Sequence, residues 1–149
     1  MSIKEQVYNK CMELVGQKIA LAERAMKEAQ ESANAEEKST AGDKHDTARA
    51  MSQIERDMYA KQLSEAVHLK NILSGIQIST PFRTVQSGSI VNTTNGKFFI
   101  AVALGKIDLD GKIFFVISPL SPLGQLLLDK KSGKKVTFNG KEISILEIL

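Results

Sequence analysis

Cysteine, tryptophan and proline are scarce in this 149-residue sequence, which contains one, none and three of them, respectively. A single cysteine, Cys11, excludes an intramolecular disulfide framework and a CxxC zinc site. Aromatic residues make up only 5% of the chain, which disfavours a surface that stacks single-stranded bases. No apolar run approaches the roughly 20 residues of a membrane span, and residues 1–6 lack the apolar block of a signal peptide. We therefore expect a soluble, cytoplasmic protein without a membrane partner.

Composition divides the chain near Ser74. Residues 1–74 contain no proline, with 11 basic and 12 acidic residues, whereas residues 75–149 contain all three prolines, with 9 basic and 5 acidic residues. The overall charge of +3 is small for a protein that coats duplex DNA. This division predicts two domains, a helical one over residues 1–74 and a β-rich one over residues 75–149.

The first half predicts two long helices that pair as an antiparallel coiled-coil hairpin. Residues 39–43, Ser-Thr-Ala-Gly-Asp, have the composition of a helix stop and restart, so the tip is expected at about residues 39–46. Helices of about 30 residues would form a finger roughly 45 Å long. Apolar residues that recur at spacings of three, four and seven predict the seam; they are Ile3, Val7, Cys11, Leu14, Leu21 and Ala25, then Met51, Ile54, Met58, Leu63, Ala66, Leu69 and Leu73. The alanine-rich residues 29–35 continue the stripe of the first helix weakly.

The second half predicts a small antiparallel sheet with one short helix. Its β-branched and aromatic runs lie at 89–94, 97–104, 112–117, 135–138 and 142–148, and Asn-Gly or Asp-Gly pairs supply hairpin turns. Residues 121–128 predict the helix, because their proline is suited to a first helical turn. The expected fold class is α+β, a helical hairpin followed by a small β domain.

Two acidic residues, Asp43 and Asp46, mark the predicted start of the second helix. At a helical spacing of three they share one face, where two carboxylates could hold Mg²⁺ if a partner supplies the remaining ligands. A metal held in this way could activate a water for attack on a phosphodiester. The same spacing also fits a helix cap, with Asp43 as the N-cap and Asp46 in the first turn. The sequence leaves both interpretations open, and they can coexist.

Other candidates are less specific. Cys11 follows the apolar stripe and is expected in the core rather than as a nucleophile. We expect His45 in a solvated loop and His68 on a helix surface. A basic cluster fits a solvated turn or a phosphate contact equally well. Lys44 and Arg49 could meet a nucleic-acid backbone or simply neutralise the acidic residues of the tip. The cluster consists of Lys130, Lys131, Lys134 and Lys135.

The order of these parts resembles the bacterial Gre transcript-cleavage factors over nearly the whole chain. The tip, residues 42–48 (Gly-Asp-Lys-His-Asp-Thr-Ala), is similar to that family's Gly-Asp-x-x-Glu-Asn-Ala segment. Residues 85–91 are similar to its first strand. Residues 117–127 (Ile-Ser-Pro-Leu-Ser-Pro-Leu-Gly-Gln-Leu-Leu), followed by Lys-Ser-Gly-Lys at 131–134, resemble its Ser-Pro stretch, and residues 143–148 resemble its closing strand.

The resemblance implies a transcription elongation factor rather than an enzyme. It implies an FKBP-like C-terminal domain that docks on bacterial RNA polymerase, with Ser121, Pro122 and Leu123 in the docking segment. The coiled coil would enter the secondary channel, where Asp43 and Asp46 help the polymerase hold Mg²⁺ near the nascent RNA 3′ end. The polymerase itself would then cleave backtracked RNA. Free of polymerase, the chain is expected to be a monomer that binds no cofactor.

The sequence departs from the family pattern at the tip. Asp46 matches the family's glutamate but is one methylene shorter, and Thr47 stands where the family has asparagine. Arg49 and Ala50 replace an acidic–aromatic pair. These departures favour the docking role over the cleavage role. The alternative is therefore a regulator or inhibitor that occupies the secondary channel without stimulating cleavage.

Overall fold

The structure is a computed structural model that describes residues 1–37 and 43–149, with the side chains of residues 36–46 left out of the description. Of the predicted tip at about residues 39–46, residues 39–42 lie outside the described residues, and residues 43–46 belong to the second helix. The chain divides into two compact units, Met1–Glu13 with Asn71–Leu149, and Leu14–Lys70. The boundaries between these units fall inside both long helices. The predicted domains at 1–74 and 75–149 stay a prediction.

Two long helices, α1 (Ile3–Glu37) and α2 (Asp43–Ser74), account for the first half of the chain. Helix α1 begins with a capping box, because the Glu5 amide donates to Ser2 Oγ at 3.2 Å and the Ser2 amide donates to Glu5 Oε2 at 3.3 Å. The helices run antiparallel. Within Leu14–Lys70, Arg56 Nη1 donates to Gln30 Oε1 at 2.9 Å. Within the other unit, the Tyr8 hydroxyl donates to the Leu73 carbonyl oxygen at 2.9 Å.

The helical seam differs from the predicted one. Val7, Cys11, Ala66 and Leu73 are buried as expected. Four larger side chains placed in the seam are exposed instead, by 63%, 58%, 68% and 47% for Leu21, Met51, Ile54 and Met58, respectively. The physical reason is the size of the seam residues, since small side chains let two helices approach closely without a third partner. Val15 and Ala22 are buried in their place, and Ala29 and Ala33, in the alanine-rich continuation of the stripe, are buried too.

The second half forms one six-stranded sheet in the order β3-β4-β2-β1-β6-β5. Neighbouring strands are antiparallel except β2 and β4, which are parallel. The expected fold class is confirmed, while the expectation of a wholly antiparallel sheet is wrong for this pair. The strands are β1 (Ile90–Thr93), β2 (Gly96–Ile100), β3 (Gly105–Leu109), β4 (Lys112–Ile117), β5 (Lys135–Phe138) and β6 (Lys141–Ile148).

The observed strands differ from the predicted ones in two ways, and both differences have the same cause. The run predicted over 97–104 ends as a strand at Ile100, and β3 was not predicted. Residues 101–104 bend, with the Leu104 amide donating to the Val102 carbonyl oxygen at 2.9 Å. Gly105 then follows with a φ of 83°, in the left-handed region that glycine adopts most readily. This bend lets the chain turn back through β3, so that β4 can lie parallel to β2.

Short turns and one helix complete the sheet unit. Asp110 and Gly111, then Asn139 and Gly140, all have positive φ values, as a two-residue hairpin turn requires. Helix α3 (Pro122–Leu127) packs its Leu127 into the core of the sheet. That core is built from Val85, Val91, Phe98, Ile100, Leu127, Val136, Ile143 and Ile145. Among the described residues, no helix is long and apolar enough to cross a membrane.

Candidate functional site

The two acidic residues of the predicted tip lie in the first turn of α2. The helix begins at Asp43, and Asp46 follows three residues later, so the backbone has the spacing that places both on one helix face. Their side chains belong to the segment that the structure does not describe. Metal binding and helix capping therefore stay predictions for this pair.

Further along α2, within Leu14–Lys70, a polar contact joins this helix to α1. Arg56 donates to Gln30 at 2.9 Å, and Gln30 Nε2 donates to Asn34 Oδ1 at 3.0 Å. Arg56 lies 13 residues after Asp43, which is about 20 Å along an α-helix. The polar contact holds α2 against α1 and so fixes the direction in which the first turn of α2 continues.

The candidates that flank the acidic pair are Lys44, Thr47 and Arg49. Arg49 and Thr47 are exposed, and the Lys44 side chain lies outside the description. Contact of Lys44 and Arg49 with RNA stays a prediction. Among the residues searched in the described part of the chain, no group of three His, Cys, Asp or Glu side chains is placed to hold a metal.

The predicted docking segment forms a tight capped turn before α3. Ser121 is the N-cap, since its Oγ accepts from the Gly124 amide at 3.1 Å and donates to the Ser118 carbonyl oxygen at 2.6 Å. Ser118 Oγ accepts from the Leu120 amide at 3.1 Å. A Cβ at Gly124 would collide with the Ser118 carbonyl oxygen, so the turn requires glycine there. The two serines thus define the shape of this turn.

The same turn presents apolar side chains to the outside. Pro122 is exposed, and Leu120 is 80% exposed. Leu126 is partly exposed on α3, whereas Leu123 packs against the sheet core. Of the three predicted docking residues, Pro122 is therefore the exposed apolar one, and Leu123 is partly buried. Sequence reasoning missed Leu120, although its place between two Ser-Pro steps was a usable signal.

The basic cluster is an exposed turn at the edge strand β5. Lys130, Lys131 and Lys134 are exposed. Lys135 Nζ lies 3.2 Å from Glu142 Oε1, with both side chains more than 60% exposed. An ion pair this exposed contributes little to stability. The geometry is that of a solvated turn, and a phosphate contact stays a prediction.

Two titratable side chains are buried at the base of α1. Burial raises the pKa of Cys11 to about 12, so the thiol stays protonated and is a core residue as expected. Lys4 was not predicted in the core, yet it is only 7% exposed. Its Nζ donates to the Thr80 carbonyl oxygen at 3.1 Å and lies 4.6 Å from the centroid of the Phe82 ring, while burial lowers its pKa. The signal was its spacing, three residues before Val7 and seven before Cys11.

Comparison with known proteins adds a likeness among solved structures. No protein-family model matches the chain, and no curated protein does. A solved structure described as that of the transcription factor Gfh1 is similar at 18% sequence identity and a TM-score of 0.35; the likeness covers 95% of this chain and 92% of that chain. A likeness at this identity and TM-score leaves the family of this chain open.

Proposed function

We propose that this chain is a Gre-type transcription elongation factor, which binds bacterial RNA polymerase and stimulates the polymerase to cleave backtracked RNA. The observation that carries the proposal is the acidic pair in the first turn of α2, at the start of the second arm of an antiparallel helical hairpin. The motif resemblance in residues 117–134 is a second support, which does not depend on the acidic pair. In the structure those residues include the capped turn and helix α3.

In this proposal Asp43 and Asp46 act as metal-positioning residues. Carboxylate oxygens are the ligands that Mg²⁺ prefers, and Mg²⁺ commonly takes one or two protein carboxylates together with waters or phosphate oxygens. Two carboxylates make an incomplete site, so the polymerase must supply the other ligands. Mg²⁺ bound there would lower the pKa of a water that attacks the RNA phosphodiester. Arg49 and Lys44 would lie near the RNA backbone.

We further propose that the exposed apolar turn docks the chain on the polymerase. Leu120 and Pro122 are accessible, while the hydrogen bonds of Ser118 and Ser121 fix the turn that presents them. A rigid apolar projection loses little conformational entropy when it binds. Leu120→Glu should weaken polymerase binding about tenfold or more. Leu146→Glu is the matched control, because Leu146 is 62% exposed on β6 and should leave the affinity unchanged.

The decisive experiment uses stalled elongation complexes with Mg²⁺. Wild-type protein should release short 3′ RNA fragments, and Asp43→Asn should slow their release about 100-fold, since it removes a charged metal ligand. Glu55→Gln is the control, because Glu55 is an exposed acid on the same helix. Equal cleavage by wild type and Asp43→Asn would contradict the metal role. RNA hydrolysis without polymerase would contradict the accessory role.

A channel-occupying regulator is the second candidate, and Asp46 favours it. Asp46 is one methylene shorter than the glutamate of the resembling motif, and Mg²⁺ demands near-ideal octahedral geometry. This candidate predicts polymerase binding and slowed elongation without RNA fragments. Asp46→Glu would then convert the protein into one that stimulates cleavage, with fragment release as the readout.

A further inference from the structure

A groove lies open along one side of the helical hairpin, within Leu14–Lys70. Its volume is about 450 Å³, and Ala22, Ala25 and Ala66 are among the residues that line it. Alanine side chains close the seam between the helices but are too short to cover its flank. The groove therefore follows directly from the alanine-rich seam.

Large apolar side chains continue this surface along both helices. Leu21 lines the groove on α1 and is 63% exposed, and Leu69 lines it on α2. Helical spacings of seven and four residues place Met51, Met58 and Leu69 on one face of α2. Met51 and Met58 are also exposed. Gln62 and Glu65 separate Met58 from Leu69 on this face, and exposed apolar side chains at such spacings are available for a partner helix to pack against.

The charged residues on the two walls of the groove indicate which molecule binds there. Lys18 lines the groove from α1 and Glu65 lines it from α2. Neither forms an ion pair with another described side chain. A two-fold axis that runs along the groove brings the grooves of two copies face to face and exchanges their two walls. The Lys18 of each copy then faces the Glu65 of the other, and the same pair forms twice.

We propose that the groove binds a second copy of this chain, giving a two-fold symmetric dimer in which the hairpins pack as four helices. Two-fold interfaces are self-complementary, and this surface supplies both requirements, an apolar floor and opposite charges on its two walls. The proposal goes beyond the elongation-factor function and does not rest on it. It replaces the expectation of a free monomer with a resting dimer whose hairpin flanks are covered.

The test is sedimentation velocity with the full chain in the absence of polymerase, from about 5 to 500 µM, since self-association depends on protomer concentration. The expected species at high concentration has twice the mass of one 16.3 kDa chain. Leu21→Glu should raise the dimer dissociation constant at least about tenfold. Val67→Glu is the control, because Val67 is exposed on α2 but does not line the groove. A single-chain mass at every concentration would overturn the proposal.

A charge exchange makes the test specific to this geometry. Lys18→Glu and Glu65→Lys should each weaken the dimer about tenfold, because each change places like charges in both symmetric contacts. The double variant restores opposite charges and should return the dissociation constant to within about threefold of wild type. A double variant as weak as the sum of its single changes would overturn the proposed pairing. Far-ultraviolet circular dichroism of each variant verifies that the helices remain folded.

Discussion

The sheet unit and the helical unit bury different kinds of side chain. Met1–Glu13 with Asn71–Leu149 buries Phe99, Phe114, Ile90 and Leu127 completely, whereas Leu14–Lys70 buries mostly alanine. A fully buried large apolar side chain contributes about 1.5–3 kcal/mol, far more than a buried methyl group. The sheet unit therefore carries a core of its own. The helical unit has a thin seam, and it leaves apolar surface available for partners.

The largest expected effect lies in the sheet unit. Phe99 is fully buried, so Phe99→Ala should lower the free energy of unfolding by about 3–5 kcal/mol through lost burial and a residual cavity. Ile54→Ala is the counterpart in the helical unit, where 68% exposure limits the loss to about 0.5 kcal/mol. Denaturant titration of both variants measures the difference. Similar losses at the two positions would contradict the assignment of the seam.

A seam of small residues should resist enlargement. Ala29 is 5% exposed, and Ala29→Leu should destabilise the helical unit by about 1–3 kcal/mol because the added atoms separate the helices. Ala20→Leu on the exposed side of the same helix should change stability by less than about 0.5 kcal/mol. Thermal unfolding followed by helical circular dichroism compares them. If Ala29→Leu stabilises the protein, the helices are not closely packed there.

Alkaline pH should weaken the base of α1 through Cys11. Its pKa is raised by burial to about 12 from 9.0, so the folded state keeps a proton that the unfolded state loses between these values. The contribution of the protonated thiol to the free energy of unfolding is fully present below pH 9, and above it this contribution falls by at most about 1.4 kcal/mol per pH unit. Cys11→Ala should therefore have a shallower loss of stability than wild type between pH 9 and 11. Parallel slopes would show that Cys11 is not buried.

The smallest effect is expected at the edge of the sheet. Lys135 and Glu142 are 3.2 Å apart but largely exposed, so Lys135→Gln should change the free energy of unfolding by less than about 0.5 kcal/mol. Urea titration in low and high salt checks this. A loss that exceeds 1 kcal/mol and disappears in high salt would reveal a stronger pair than its exposure allows.

Local features of the fold could be predicted from the sequence, because local chemistry determines them. The Asp110–Gly111 turn and the Pro122 start of α3 agree with the structure, since a positive φ or a proline first turn depends on adjacent residues alone. The two long helices were predictable from apolar periodicity. The parallel pairing of β2 with β4 could not be predicted, because it depends on the bend and on strand β3, which lie between these two strands in the sequence.

The phase of the seam and the functional residues were harder to predict. Hydrophobicity ranks Met51 and Ile54 above alanine, but the seam is built from alanine, whose small side chain lets the helices approach closely, and the larger side chains stay outside the contact. Lys4 is buried because its ammonium finds a carbonyl oxygen and an aromatic face, and both come from residues more than 70 positions away. The acidic pair was recognisable from its spacing, whereas its chemistry depends on ligands that another molecule supplies.

The most direct test compares both units in one preparation of stalled RNA polymerase complexes, measuring affinity and RNA fragment release together. Asp43→Asn should keep the wild-type affinity for the polymerase complexes but release RNA fragments far more slowly. Leu120→Glu should lose affinity for the polymerase complexes, and its RNA fragment release should recover when the concentration of the variant is high. If both variants lose affinity and fragment release in parallel, or neither loses either, the division between a docking sheet unit and an acting hairpin is contradicted.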